Sequence, residues 1–145
     1  MLVFSALVLN EQLAIPEQPL PPNGHVQRFT DRLPVAPFEI KAGHGSNFLV
    51  KLVDGLTGAP VLTVFVHSGE TVKIDVPLGT FELRYASGQS WYGDKYLFGP
   101  GTEYWKADRT LNFEIVGDEI RGFKVTLYRV PYGNLHMSRI DPKEF

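Results

Sequence analysis

The sequence predicts an all-β fold, a seven-stranded antiparallel sandwich of two packed sheets. Three observations carry this reading. From residue 37 onward apolar residues recur with a period of two, with no sustained period of 3.6. The apolar runs are short and are separated by glycine- and proline-containing turns. The chain has 145 residues, 43% hydrophobic and 21% charged, enough to build one core rather than two domains.

The chain opens with "MLVFSALVLNEQLAI", whose apolar run holds Leu2, Val3, Phe4, Leu7, Val8 and Leu9. This run is shorter than the about 20 apolar residues a membrane-crossing helix needs. No positive charge precedes it, as a secretory signal would require. Residues 1–15 therefore read either as an apolar arm packed on protein or as a short membrane-associated segment. Glu11 and Glu17 precede the first positive charge, Arg28, so a membrane-embedded run would leave the bulk of the chain outside the cytoplasm. Residues 16–36 begin "PEQPLPPNG", with four prolines in nine residues, and read as an extended, stalk-like linker.

The sandwich domain is expected over residues 37–130. "FEIKA" (38–42) is the first strand, and "GHGS" (43–46) reads as a hairpin loop. "FLVKLVD" (48–54) and "VLTVFV" (61–66) flank the turn "GLTGAP". "HSGE" leads into "TVKIDV" (71–76), and "VPLGT" has the proline and glycine of a bulged hairpin. "TFELRYA" (80–86) alternates cleanly, with Phe81, Leu83 and Tyr85 facing a core. "LNFEIV" (111–116) and "IRGFKVTLYRV" (120–130) follow, joined by "GDE", and place Phe113, Ile115, Phe123, Val125 and Leu127 on the same core. Residues 131–145 read as a C-terminal arm holding at most one helical turn, opened by Asp141 and Pro142.

The composition excludes several functions. A net charge of −2 with scattered basic residues gives no footprint for nucleic acid. The absence of cysteine removes disulfides, thiolate metal sites and thiol nucleophiles. His25, His44, His67 and His136 are dispersed and lack metal-ligand spacing, so no metal site is expected. No nucleophile elbow is present, and "GHGS" precedes no helix that could direct amides at a phosphate. Asp94, Glu103 and Asp108 lie in one loop, but their spacing fixes no glycosidase geometry. The reading is therefore of a protein that is not an enzyme, with no catalytic residues and no cofactor.

Residues 50–88 carry Thr57, Gly58, Pro60, Pro77, Gly79, Phe81 and Leu83 in a "TG-x-P … P-x-G-x-F-x-L" pattern. This segment resembles the transthyretin-like, carboxypeptidase-regulatory type of β-sandwich. The segments "LPPNGHVQRF", "LVKLVD", "ASGQSWYGDKYLFGP" and "NLHM" are further similar to an uncharacterised bacterial family with an N-terminal hydrophobic segment. Together these resemblances imply a transthyretin-like or immunoglobulin-like sandwich with extended N- and C-terminal arms. They transfer no catalytic residues.

Residues 87–110 are the strongest departure from an ordinary sandwich, holding six of the chain's eighteen aromatics in a connection without a strand pattern. Trp91 and "YLF" (96–98) are expected to fold back as a lid, with Gly93 and Gly99 supplying the bends. Tyr104, Trp105 and Lys106, beyond "GPG", are expected to form an exposed contact patch. The first functional reading is a non-catalytic interaction or accessory domain at a bacterial envelope, with a cytoplasmic location as the alternative. It binds a protein partner or copies of itself, with membrane contact through residues 2–15. A carbohydrate- or peptide-binding module using the aromatic loop is the second, and a self-assembling structural subunit the third.

Overall fold

The computed structural model describes residues 15–128 and 136–145. The arm residues from Leu2 to Leu9, the end of the expected last strand (129–130) and residues 131–135 lie outside the described residues. The rest is all-β, with twelve strands and two single-turn 3-10 helices, Gly99–Gly101 and Pro142–Glu144. The second of these starts after Asp141, where the sequence places a helical turn.

A seven-stranded sheet forms one layer. It contains β1 (Val26–Arg28), β3 (Asn47–Asp54), β4 (Pro60–Val66), β6 (Gly79–Gly88), β7 (Glu103–Ala107), β8 (Leu111–Phe113) and β12 (Met137–Arg139). Its order is β1-β4-β3-β6-β7-β12, with β8 pairing the start of β6 while β7 pairs its end. The second layer has three strands, β5 (Thr71–Val76), β2 (Ala36–Ala42) and β11 (Phe123–Leu127), with β2 in the middle. β9 (Ile115–Val116) and β10 (Glu119–Ile120) make a separate two-stranded hairpin.

The period-two pattern places these layers. Phe38 and Ile40 of β2, Val72 and Val76 of β5, and Val125 and Leu127 of β11 are buried against Phe48, Val50, Leu52, Leu62, Val64, Phe81, Leu83 and Tyr85 of the large sheet. Phe113 bridges the layers, its ring 5.5 Å from Phe38 and 4.8 Å from Phe123. Each buried ring or branched aliphatic removes apolar area worth about 1.5–3 kcal/mol from water, and this shared core holds the layers together.

Four expectations need correction. The pairing is not wholly antiparallel, because β11 runs parallel to β2. The segments 43–46 and 77–78 are not hairpin turns: each carries the chain from one sheet to the other, as does 67–70. Ile115 is 57% exposed instead of core, because the β6–β8 ladder ends at Gly79 opposite Phe113 and Ile115 pairs instead with Ile120 in the separate β9–β10 hairpin, outside both layers. The proline-rich stretch is not a free stalk. Gln18 N–H donates to the Trp91 carbonyl at 2.7 Å, Gly24 N–H to Phe65 at 2.7 Å, and His67 Nε2 lies 2.6 Å from the Pro21 carbonyl. An extended chain has no internal partners for its N–H and C=O groups, and the domain supplies them here.

Candidate interaction surfaces

The aromatic loop covers the outer face of the large sheet, the face turned away from the small sheet. Leu49, Phe65 and Ala86 project there and form a second apolar cluster with Trp91, Leu97 and Phe98. Trp91 stands edge-on between Phe65 and Phe98, at ring-centre distances of 5.1 and 5.2 Å. Gly93 and Gly99 hold positive φ of 93° and 78°, which residues with a side chain rarely adopt. A methyl group at Gly88 would lie 2.3 Å from Phe98 Cβ, so glycine permits this close approach. Trp91, Leu97 and Phe98 thus form the expected lid. Tyr96 does not: it is 44% exposed, with the Lys95 ammonium 5.3 Å from its ring centre.

Tyr104, Trp105 and Lys106 lie on β7, not in a flexible loop. Strand alternation sends Trp105 to the opposite face from its neighbours. Trp105 is only 8% exposed, stacks on Tyr85 at 6.5 Å and lies beneath the Arg139 guanidinium. The expectation that it forms a surface patch is therefore corrected: it belongs to the main core. Burial, followed by the Glu103 charge, raises the Tyr85 hydroxyl well above the usual tyrosine range.

Tyr104 and Lys106 do face outward, onto the sheet surface beside the lid. A cleft of about 490 Å³ opens there, lined among others by Phe29, Lys51, Thr63, Asp94, Tyr104 and Phe145. Its rim is fixed by a hydrogen bond from Gln27 to the Asp94 carboxylate at 3.2 Å. The strand register also aligns three cations side by side, with Lys51 on β3 opposite Arg84 on β6, and Arg84 opposite Lys106 on β7. Glu82 serves two of them, 3.1 Å from Arg84 and 3.9 Å from Lys106. The described C-terminal segment is strapped across this row. Arg84 donates to the Glu144 carbonyl and Lys51 to the Phe145 main-chain oxygen, while the Phe145 ring rests 5.6 Å from Tyr104. Burial, and then the Arg84 charge, holds the Lys51 ammonium below the usual lysine range.

One end of the sandwich presents a different chemistry. The register sets Asp54 opposite Phe81, Gly79 opposite Phe113 and Ala36 opposite Val76. Residues 33–35, 55–59, 77–78 and 114–122 therefore meet at the same end. Among the described residues ten large apolar side chains are exposed, and six are here: Leu33, Val35, Leu56, Ile115, Val116 and Ile120. Leu56 is 96% and Leu33 78% exposed. Arg32 binds the segments together, donating to the Leu78 carbonyl at 2.5 Å, lying 3.9 Å from the Asp54 carboxylate and covering the Phe81 ring. Asp54 accepts from Leu56 and Thr57 N–H at 2.9 and 3.0 Å, so the turn that displays Leu56 is itself fixed.

The loop carboxylates are dispersed: Asp94 pairs with Gln27, Glu103 lies 4.0 Å from Arg139, and Asp108 accepts from Ser138. Among the described residues no three His, Asp or Glu side chains converge on a metal position. Nor is any helix there long and apolar enough to cross a membrane. Comparison with family models, curated proteins and solved structures returns no significant match. Sequence reading missed the cation row and the apolar end. The first has a local signal, a lone cation at an outward position in each of "VKL", "LRY" and "WKA"; the second has one in the apolar residue inside the "GLTG" turn.

Proposed function

We propose that this chain is a non-catalytic interaction domain, an accessory subunit or assembly partner. Its sandwich is transthyretin-like and is held at a bacterial envelope, outside the cytoplasm, by the apolar run from Leu2 to Leu9. The apolar end carries the reading. A single exposed leucine is ordinary, but six exposed branched side chains gathered at one end of the sandwich mark a surface meant to be covered. Arg32, Asp54, Glu114 and Arg121 stand among these residues, as charges do at the rim of an interface. Replacing Leu56 and Ile115 together by Glu tests it: the melting temperature stays unchanged, and the larger species containing this chain in native extracts disappears. Retention of that species in the double variant removes the support for this surface.

A second reading is favoured by the outer-face cleft. Phe29, Tyr104 and Phe145 bring ring surfaces together with Lys51, Thr63 and Asp94, the mixture that peptide and sugar recognition uses. In this reading Tyr104→Ala abolishes binding to an oligosaccharide or peptide array without unfolding the domain. An array on which wild type and Tyr104→Ala behave alike argues against it.

A further inference from the structure

The row of cations on the outer face breaks a rule that the rest of the sheet obeys. Like charges directly opposite one another on neighbouring strands are destabilising, and here three stand in succession, Lys51, Arg84 and Lys106. Only Glu82 forms an ion pair with members of the row among the described residues, so the site retains an excess of positive charge within a chain whose net charge is −2. Arg84 Nε is buried without an acceptor among the described residues, so even with Glu82 and the Glu144 carbonyl in place the guanidinium has a donor to spare. A local violation of this kind, with one paired carboxylate for three cations, is what a binding site leaves behind.

What occupies the row is a peptide. Residues 140–145 cross it, held by Ile140 N–H to the Tyr104 carbonyl at 3.0 Å, by the main-chain oxygens on Arg84 and Lys51, and by the Phe145 ring between Tyr104 and the Lys51 ammonium. The Glu144 carbonyl on Arg84 is neutral, so Arg84 and Lys106 share the single charge of Glu82. A carboxylate in the same position would form the stronger, charge-assisted bond.

We propose that the Lys51–Arg84–Lys106 row, with the Tyr104 ring beside it, is a recognition site for an acidic, aromatic-containing extended peptide of a partner protein, and that residues 141–145 occupy it in cis until such a peptide displaces them. The site is distinct from the apolar end and stands whether or not that end docks a partner; it deepens the second reading, with whose cleft it shares Lys51, Tyr104 and Phe145. A peptide is the occupant because the groove already accommodates an extended main chain and an aromatic side chain, which a phosphate or a polyanion does not provide. Arginine and lysine then act as charge-assisted donors, and the half-buried ring supplies the apolar contact.

The test uses the full chain and a labelled synthetic peptide with the sequence of residues 138–145 in which Lys143 is Glu, followed by fluorescence anisotropy. Phe145→Ala weakens the strap and is expected to bind the peptide at least tenfold more tightly than the intact chain. Adding Lys51→Gln and Lys106→Gln lowers that affinity at least tenfold, and raising salt from about 50 mM to about 500 mM lowers it similarly. Both lysines are partly exposed, so these variants keep the fold, which their circular dichroism checks. Binding to neither chain, or binding that ignores the lysines and salt, overturns the proposal. So does equal competition by inorganic phosphate or polyglutamate, which would make the row a general anion site.

Discussion

Replacing Trp105 by Ala measures whether β7 presents its tryptophan to the core or to a partner. The indole is 8% exposed and stacked on Tyr85, whose ring is itself fully buried. An indole buries about 200–250 Å², or about 5–6 kcal/mol of transfer at about 25 cal/mol per Å². Alanine keeps a small part of this, and measured truncations of large buried aromatics cost about 3–5 kcal/mol. One effect acts in the opposite direction. Trp105 Nε1 is buried with no hydrogen-bond partner among the described residues, a penalty of about 1–3 kcal/mol that truncation relieves. With that penalty at its lower end of about 1 kcal/mol, the net expectation is about 2–4 kcal/mol, roughly a 10 °C fall in melting temperature for a chain of this length. Trp105→Phe keeps a ring and removes the orphaned N–H, so it is expected to lie within about 1 kcal/mol of wild type. Urea unfolding followed by far-UV circular dichroism gives both numbers. A cost below about 1 kcal/mol for Trp105→Ala would refute the core placement. A large loss for Trp105→Phe would show that the indole N–H has a partner.

The lid predicts a contrast within one loop: Trp91→Ala costs about 3–5 kcal/mol because the ring fills the space between Phe65 and Phe98, whereas Tyr96→Ala leaves stability within about 0.5 kcal/mol of wild type. Equal costs in thermal melts would contradict the division. The Lys51 ammonium is held below its unfolded value, so the unfolded chain retains that proton where the folded chain has lost it, and the contribution of Lys51 to stability improves as pH rises toward about 10.4. Denaturation of wild type and Lys51→Gln from pH 8 upward reads this as a difference that grows in favour of wild type; a constant difference contradicts it.

The period-two alternation of residues 80–86 and the "GLTG" turn made the strands and one hairpin legible, because local sequence dictates both side-chain direction and turn geometry. Sheet membership was not legible. The segments 43–46 and 77–78 carry the same glycine and proline chemistry whether the chain folds back on its own sheet or crosses to the other, and long-range pairing decides between these. Val26–Arg28 and Met137–Arg139 read as linker and arm because three residues are too few for a period, and they become strands only by joining β4 and β7. The phase of β7 is the instructive failure. Tyr104, Trp105 and Lys106 look like one surface patch until the strand sends the middle residue to the opposite face. Each strand shows only its own lone outward cation, and only the register makes neighbours of residues 51, 84 and 106.

The central claim is that the end carrying Leu33, Leu56 and Ile115 docks onto another protein. Placing a photo-crosslinking amino acid at Leu56, at Ile115 and, as a control, at the exposed Lys73 on the small sheet tests it in the cells that make the protein. The account predicts one discrete crosslinked product, of the same size from Leu56 and Ile115 and absent from Lys73. No product from the apolar end, or the same yield from all three positions, would contradict it.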